Sequence, residues 1–521
     1  MPTITIDGKP LEFEQGQTIL EVAFNNGISI PHYCYHPSLS VVASCRICLA
    51  EVWAPNPRNE NKLEPMPKLL PTCQTPAGDE NVVYTSSPKA TANQKAVMEF
   101  LLSNHPIDCP VCDQAGECDL QDYAYEYGRG ERRCDTEKIT QSKKDVGDNV
   151  MLYGDRCIMC TRCVRFTKEI TGTNELYIDG RGAKECIDVF PGEGLNNELS
   201  GNVVDICPVG AFLDKDFMFQ QRVWFLDKTP SIDPLTSSGD NINIEHTNNT
   251  LYRIKPRTNW DVNHFWITDE VRYGWKFVHD ETRVTEMCED AELVASDKLQ
   301  QAEKIALLVS PMLSCEDAWL LGTLVRSIDK DAIVGIGPVP IEGEDTTFPS
   351  GFTIRAEKAP NARGVKHALG EALDYDAWKK QMGGADTVVV TGNYPEAWDT
   401  PASEISDSQT LILIDTLENN LTQRADVFLP GATWAEKAGT FENYNNVLQT
   451  FECAIQPLGD SQSEGQIALN LQALVDDMEQ TMFNAATVRR RMADAGIAGM
   501  LEVELPKNTN RVDTDMPLSE V

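Results

Sequence analysis

Cysteine placement constrains this chain more than any other feature. All of its 16 cysteines except Cys288, Cys315 and Cys453 lie at or before Cys207, most of them in three tight constellations. Disulfide frameworks of such density belong to short exported chains. This chain has 521 residues. Its start, Met1-Pro-Thr-Ile-Thr-Ile-Asp-Gly-Lys-Pro10, has neither the charged and apolar regions of a signal peptide nor the Arg-rich character of a transit peptide. The expectation is therefore a cytoplasmic protein whose thiols bind metal.

The first constellation is Cys34-x10-Cys45-x2-Cys48 with Cys73 downstream. Four thiolates, three clustered and one distant, suit a [2Fe–2S] cluster, and Cys45-x2-Cys48 is equally the start of a zinc knuckle. The second is His105-x3-Cys109-x2-Cys112-x5-Cys118, set among Pro106, Pro110 and Gly116, which shape a tight loop. A histidine leading three closely spaced thiolates reads as a ligand, for structural zinc or for a cluster. In a cluster, imidazole in place of thiolate removes negative charge and raises the potential. Cys134 beyond it has no assignable partner. The third constellation is the most specific. Cys157-x2-Cys160-x2-Cys163 opens a bacterial ferredoxin run and Cys207-Pro208 closes another. In two-cluster ferredoxins the fourth cysteine of each run serves the other cluster. Here the fourth position of the first run is Thr167, and the positions counted back from Cys207 are Val203, Ser200 and Asn197. One cluster has lost every ligand and the other has kept all four, which predicts a single [4Fe–4S] on Cys157, Cys160, Cys163 and Cys207. Cys186 falls outside the run and reads as a buried, inert thiol.

The rest of the chain reads as multidomain α/β and α+β. Residues 1–80 begin with alternating Thr3-Ile4-Thr5-Ile6, an Asp7-Gly8 turn and Leu11-Glu12-Phe13, a hairpin signal. Thr18 to Glu21 has capping-box spacing ahead of a short helix ending at Gly27, so the segment is expected to be a β-grasp ferredoxin-like domain. Residues 81–150 carry a helix over Ala90 to Ser103, with Val97, Phe100 and Leu101 on one side, stopped by His105-Pro106. Residues 151–222 form a [4Fe–4S] ferredoxin-like unit, and 223–280 a small β domain without cysteine. From 281 to 505, apolar runs such as Ile305–Val309, Thr387–Val390 and Leu411–Ile414 alternate with helical stretches, the pattern of a parallel sheet covered by helices. The polar tail over 506–521 is expected to be disordered.

Composition removes several classes of function. Acidic side chains outnumber basic ones 80 to 45, for a net charge of -35, which argues against nucleic-acid binding. No apolar run approaches the roughly 20 residues that span a bilayer. There is no P-loop, and Gly335-Ile-Gly337 runs into Pro338 rather than completing a dinucleotide fingerprint, so no FMN, NAD or substrate site is expected on this chain. The result is a chain that carries electrons between partners.

In motif order the sequence resembles the large iron–sulfur subunit (75 kDa type) of NADH:quinone oxidoreductase, respiratory complex I. The resemblance rests on His105-Pro-Ile-Asp-Cys-Pro-Val-Cys-Asp-Gln-Ala-Gly-Glu-Cys118 between the other two sets, and on Ser200-Gly-Asn-Val-Val-Asp-Ile-Cys-Pro-Val-Gly210. It implies a [2Fe–2S] cluster on Cys34, Cys45, Cys48 and Cys73. It also implies [4Fe–4S] clusters on His105, Cys109, Cys112 and Cys118, and on Cys157, Cys160, Cys163 and Cys207. Electrons would come from an NADH- and FMN-binding flavoprotein subunit and pass toward quinone-side iron–sulfur subunits, with the His-ligated cluster off the direct route. The chain would sit in a peripheral arm on the cytoplasmic side of a bacterial inner membrane, meeting the membrane only through the complex. Thr422-Gln-Arg-Ala-Asp-Val-Phe-Leu-Pro430 and Glu436-Lys-Ala-Gly-Thr-Phe-Glu-Asn443 resemble molybdopterin oxidoreductases. That part is shorter than in those enzymes and reads as a truncated relic without molybdenum. A fourth cluster carried by some members needs cysteines near 225–260, where this chain has none, so it is expected to be absent. Two alternatives compete: the electron-input subunit of a soluble NAD-linked hydrogenase or formate dehydrogenase, and a zinc-stapled scaffold with no enzymatic role.

Overall fold

The computed structural model describes residues 1–503 apart from Thr136 and Ala397. The polar tail expected over 506–521 lies outside the described residues. Two compact units emerge, one of Met1–Phe225 with Phe348–Ser350, the other of Leu226–Thr347 and the chain from Gly351 onward.

In the first unit the hairpin forms as expected, Thr3–Ile6 against Lys9–Glu12, turning through Asp7 and Gly8 at positive φ. Val82–Tyr84 then pairs parallel to the first strand and antiparallel to Leu49–Asn56, which also pairs with Lys62–Pro65 and Leu70–Pro71. The sheet thus runs past residue 80, because its central strand lies at 82–84. Ile19–Asn25 forms the short helix, and its capping box is complete: Thr18 N–H donates to Glu21 Oε2 at 2.7 Å and Glu21 N–H to Thr18 Oγ1 at 3.2 Å. Ile4, Ile6, Ile19, Leu20, Val52 and Val83 pack between helix and sheet.

Pro88–Asn104 is one helix, capped by Ser87, entered through Pro88 and ending at His105 before Pro106. Its buried face differs from the expected one. Ala90, Gln94 and Met98 point inward, while Phe100 is 74% exposed. The small Ala90 and the unbranched Gln94 and Met98 pack closely, and Gln94 Nε2 donates to the Thr85 carbonyl. Farther on, Lys143–Asp145, Val150–Tyr153 and Phe212–Asp214 make a small antiparallel sheet, and Leu176–Asp179 pairs with Cys186–Val189.

The second unit is built on a five-stranded sheet in the order Ile333–Ile336, Ile305–Val309, Thr387–Thr391, Thr410–Asp415, Val427–Pro430, all parallel. Both faces are covered. Leu307, Val309, Ile412 and Ile414 join one core cluster, while their neighbours Ala306, Leu308, Leu411 and Leu413 join another. Burial of alternate side chains on opposite faces is why these strands read as unbroken apolar runs. The strands expected in 223–280 are present as Asp227–Ile232, Asn241–Thr247 and Thr250–Pro256. They do not close a core of their own: Ile232, Ile242 and Ile254 pack with Trp434, Phe441 and Phe451 from the far end of the chain. Among the described residues no helix is long and apolar enough to cross a membrane.

Two carboxyls are sealed into the turn between Asp227–Ile232 and Asn241–Thr247. Asp233 accepts from the N–H groups of Leu235 and Thr236, and Asp240 Oδ2 is buried without a partner. Burial pushes the Asp233 carboxyl up to about 7, overriding the hydrogen bonds that lower it. A carboxyl raised above its unfolded value of roughly 3.9 binds a proton on folding, so its contribution is full at low pH and is lost as pH rises toward about 7. Asp233→Asn is expected to lose less stability than the parent protein between pH 4 and 7, measured by thermal unfolding across that range.

Candidate metal centres

Three sulfur sets lie in the first unit, each in a loop held by regular structure on both sides. In the first, Cys34 follows the Ile19–Asn25 helix, Cys48 precedes the strand Leu49–Asn56, and Cys73 follows Leu70–Pro71. The loop carrying Cys45 turns through Ala43 and Arg46, both at positive φ. Cys48 Sγ lies 3.6 Å from Cys73 Sγ, and Cys34 Sγ is in hydrogen-bonding contact with Cys45 and Cys73. The thiols therefore form a continuous buried string. Donation from Cys45 and Cys73 holds the Cys34 thiol far below the usual range, and Cys73 pulls Cys48 down to about 7. Cys45 and Cys73, as the donors, are pushed up. Four thiols in contact cannot all ionise without a positive charge among them.

In the second set His105 caps the long helix, Cys109 opens the turn Cys109–Val111, and Cys118 precedes the helix Asp119–Tyr127. His105 Nδ1 is buried with no hydrogen-bond partner. Burial, with the Lys138 and Arg156 cations nearby, lowers the imidazole to about 4, so it is neutral and its lone pair is available. Cys112 and Cys118 are buried and raised by burial, Cys118 to about 12, while Cys109 is exposed. Gly116, at φ +90°, faces Val223 and the Trp224 ring so closely that a Cβ would sit 2.7 Å from Val223 Cγ2. The glycine between Cys112 and Cys118 is thus required on two counts.

In the third set Cys157, Cys160, Cys163 and Cys207 line one enclosed cavity, closed by Ile187 and Phe212. Met159 and Thr161, both at positive φ, fold the loop so that successive cysteines turn inward. Cys163 lies on the short helix Arg162–Arg165, and Cys207 ends the helix Asn202–Ile206. Burial raises all four thiols, Cys207 to about 11. The lost half of the ferredoxin pattern is filled with ordinary packing. Thr167, fully buried, donates to the Val164 carbonyl, Asn197 bonds Glu175 and the Leu199 N–H, and Val203 and Ser200 are buried.

The donor spacing separates single ions from clusters. Tetrahedral zinc with Zn–S near 2.3 Å requires its four sulfurs within roughly 3.8 Å of each other. Among the described residues the one group of three or more donors lying mutually within 4.8 Å is Asp179, Cys186 and Asp188, outside all three sets. Cys186 is accordingly half-buried beside two carboxylates on a hairpin, and not in the apolar interior.

The third set touches both of the others. Arg165 donates to the carbonyl oxygens of Cys34 and Cys160, and Arg162 to those of Tyr35 and Ile206. On the other side, a Cβ on Gly210 would lie 2.3 Å from Cys112 Sγ, and Asp119 N–H donates to the Pro208 carbonyl. Tyr33, beside Cys34, has its ring centroid 5.2 Å from that of Tyr123 on the helix after Cys118. Sequence reading passed over Arg162, Arg165, Tyr33 and Tyr123. The signal available was two arginines three residues apart in Thr161-Arg-Cys-Val-Arg165, inside a cysteine run.

Loops of this kind define a chain of iron–sulfur cluster-binding domains. The N-terminal part matches the 2Fe–2S iron–sulfur cluster binding domain model over residues 1–88, followed by the NADH-ubiquinone oxidoreductase-G iron–sulfur binding region over 94–133. The ferredoxin-like domain of NADH-quinone oxidoreductase subunit 3 matches 147–213. An NDSU1/NuoG-like 4Fe–4S domain matches 226–276, a stretch with no cysteine in this chain, and molybdopterin oxidoreductase matches 371–473. The corresponding NADH-quinone oxidoreductase subunit of Rickettsia bellii is 35% identical over 341 residues, covering 63% of this chain and 48% of that protein. The NADH-ubiquinone oxidoreductase 75 kDa subunit of Reclinomonas americana is 42% identical over 273 residues, 52% of this chain and 38% of that protein. The resemblance to the large iron–sulfur subunits of NADH:quinone oxidoreductase is borne out. The chain spans about half the length of the Rickettsia relative it matches. A crystal structure of an NAD+-reducing [NiFe]-hydrogenase aligns at 29% identity over 43% of this chain and 91% of that one, with a TM-score of 0.37, too low to carry an argument.

Proposed function

We propose that this chain is an electron-transfer subunit of an NADH:quinone oxidoreductase. In this reading it binds one [2Fe–2S] cluster on Cys34, Cys45, Cys48 and Cys73. Two [4Fe–4S] clusters are held by His105, Cys109, Cys112 and Cys118, and by Cys157, Cys160, Cys163 and Cys207. The observation that carries the reading is the cavity walled by all four cysteines of the third set. Donors spread too widely for one tetrahedral ion, and a buried neutral histidine with a free ring nitrogen, support the other assignments. The sheet and helix around the first set are read as a β-grasp fold.

Bound clusters would each accept and release one electron. The chain's own residues hold the sets in contact, exclude water, and place the third set between the other two, through Arg165 on one side and Pro208–Gly210 on the other. This contact order makes the His105 set one end of a continuous path rather than a side branch. By the names of its relatives, the chain takes electrons from an NADH-oxidising flavoprotein and delivers them toward quinone-side subunits. The proposed location is a peripheral arm on the cytoplasmic side.

The molybdopterin-like part does not fit a pterin. The carboxyl ends of parallel strands are where such sheets take ligands. Here those ends are packed with the chain's own buried groups: a Cβ on Gly392 would lie 2.0 Å from Asp415 Oδ2, and Asn393 Nδ2 donates to Glu464 Oε1 at 2.8 Å. The proposed role of this part is structural. No observation favours the hydrogenase or formate dehydrogenase alternatives.

The test is iron and acid-labile sulfide per chain on anaerobically purified protein, with low-temperature EPR after reduction. About ten irons are expected from one two-iron and two four-iron clusters. About six would remove one four-iron assignment, and zinc without iron would end the electron-transfer reading.

A further inference from the structure

Arg165 is 6% exposed, yet its hydrogen-bond partners are all backbone carbonyls: Ser40 through Nη1, and Cys34 and Cys160 through Nη2. It makes no ion pair among the described residues, and its Nε has no partner. Glu169 is the acid nearest in effect, and both its oxygens are engaged by Ser40, through N–H and Oγ. A buried guanidinium without a carboxylate is costly unless some other negative charge faces it. The negative groups that act on it are the sulfurs of Cys34 and Cys160, one from each of two sets. Its neighbour Arg162, 2% exposed, repeats the arrangement, reaching Tyr35 next to Cys34 and Ile206 next to Cys207.

We propose that Arg165 is a positioning residue shared by the first and third clusters, a buried cation that raises the reduction potential of both together. This rests on the functional reading that both sets hold iron–sulfur clusters. A cluster on four thiolates carries net negative charge that grows by one on reduction, and net charge is among the terms that set its potential. A fixed cation against both sets stabilises both reduced forms in a medium of low dielectric. Two neighbouring clusters shifted together stay matched, so an electron crosses between them without a large step. The guanidinium's planar fork reaches two carbonyls from one nitrogen while its charge stays fixed at any working pH.

The test uses the full chain, purified anaerobically in the assembly with which it copurifies. Iron content and EPR redox titrations are compared for the parent protein, Arg165→Gln and Arg165→Lys. In the Gln protein the reduced-to-oxidised ratio of both the two-iron cluster and the Cys157–Cys207 cluster is expected to fall about tenfold at a given potential. That is 59 mV for a one-electron couple. The His105-ligated cluster, which Arg165 does not touch, is expected to stay in place. Lysine keeps the charge and loses the fork, so both potentials are expected within about threefold of the parent ratio.

Three outcomes overturn the proposal: a Gln protein with full iron in which either potential is unmoved, an equal shift in all three clusters, or a Lys protein lowered as far as the Gln one. If the Gln protein loads no cluster, the Lys protein decides by the same criterion. A parent protein without clusters overturns the functional reading, and this inference with it.

Discussion

Cys163→Ala is expected to lower the iron content from about ten to about six per chain and to erase one four-iron EPR signal while leaving the two-iron signal. Cys163 is buried on a four-residue helix and shares its cavity with Cys157, Cys160 and Cys207. Removing one thiolate leaves three sulfurs and an alanine methyl in a water-poor pocket with no replacement donor among its lining residues. Because the third set lies in contact with both others, its loss is also expected to interrupt electron passage between them. The same substitution at Cys186 is expected to leave the iron count unchanged, which makes it the control for nonspecific thiol loss. Retention of about ten irons in the Cys163 variant would refute the assignment.

Lys437→Met is expected to destabilise the second unit by about 3–5 kcal/mol, the range for removing one partner of a buried ion pair. Lys437 Nζ lies 3.1 Å from Asp317 Oδ2 and also contacts Glu464, and all three side chains are almost fully buried. Asp317 is in the first turn of the helix Cys315–Ile328 and Glu464 in the first turn of Glu464–Val475. Both carboxylates favour those helix N-termini, but they repel each other unless the ammonium lies between them. Further hydrogen bonds, from Ser314 Oγ and the Gly465 N–H to Asp317, fix the geometry. The two carboxylates hold the Lys437 ammonium above its ordinary range. Its stabilising contribution is therefore full below the unfolded value of about 10.4 and is lost as pH rises through the raised folded value.

In the variant the uncompensated pair takes up a proton more readily, because burial already raises Glu464. The deficit is therefore expected to be larger at pH 8 than at pH 5. Thermal unfolding at the two pH values measures it, and an equal deficit at both would show that lost packing, not charge, is responsible.

Legibility followed the range of the interaction that governs each feature. The capping box at Thr18 and Glu21, the stop at His105-Pro106 and the apolar strands were readable because each depends on neighbours a few positions away. The face of the helix Pro88–Asn104 was misread. Three apolar residues over one turn suggested a buried side, but the strand it meets accepted Ala90, Gln94 and Met98 and left Phe100 in solvent. The β segment after 226 was located, yet its core could not be foreseen, since it is completed by Trp434, Phe441 and Phe451 about two hundred residues later.

The ligand candidates themselves were legible from spacing alone. Metal chemistry demands particular atoms at short intervals, and the half-emptied ferredoxin pattern marks which four cysteines go together. The order in which the sets touch was decided by tertiary structure. Arg165 meets the Cys34 carbonyl across 131 positions, and Gly210 meets Cys112 only once two loops fold against each other. A hydrogen bond from a guanidinium to a backbone carbonyl leaves no trace in the partner's side chain. No residue type at position 34 or 160 could announce that contact, and only the folded chain shows it.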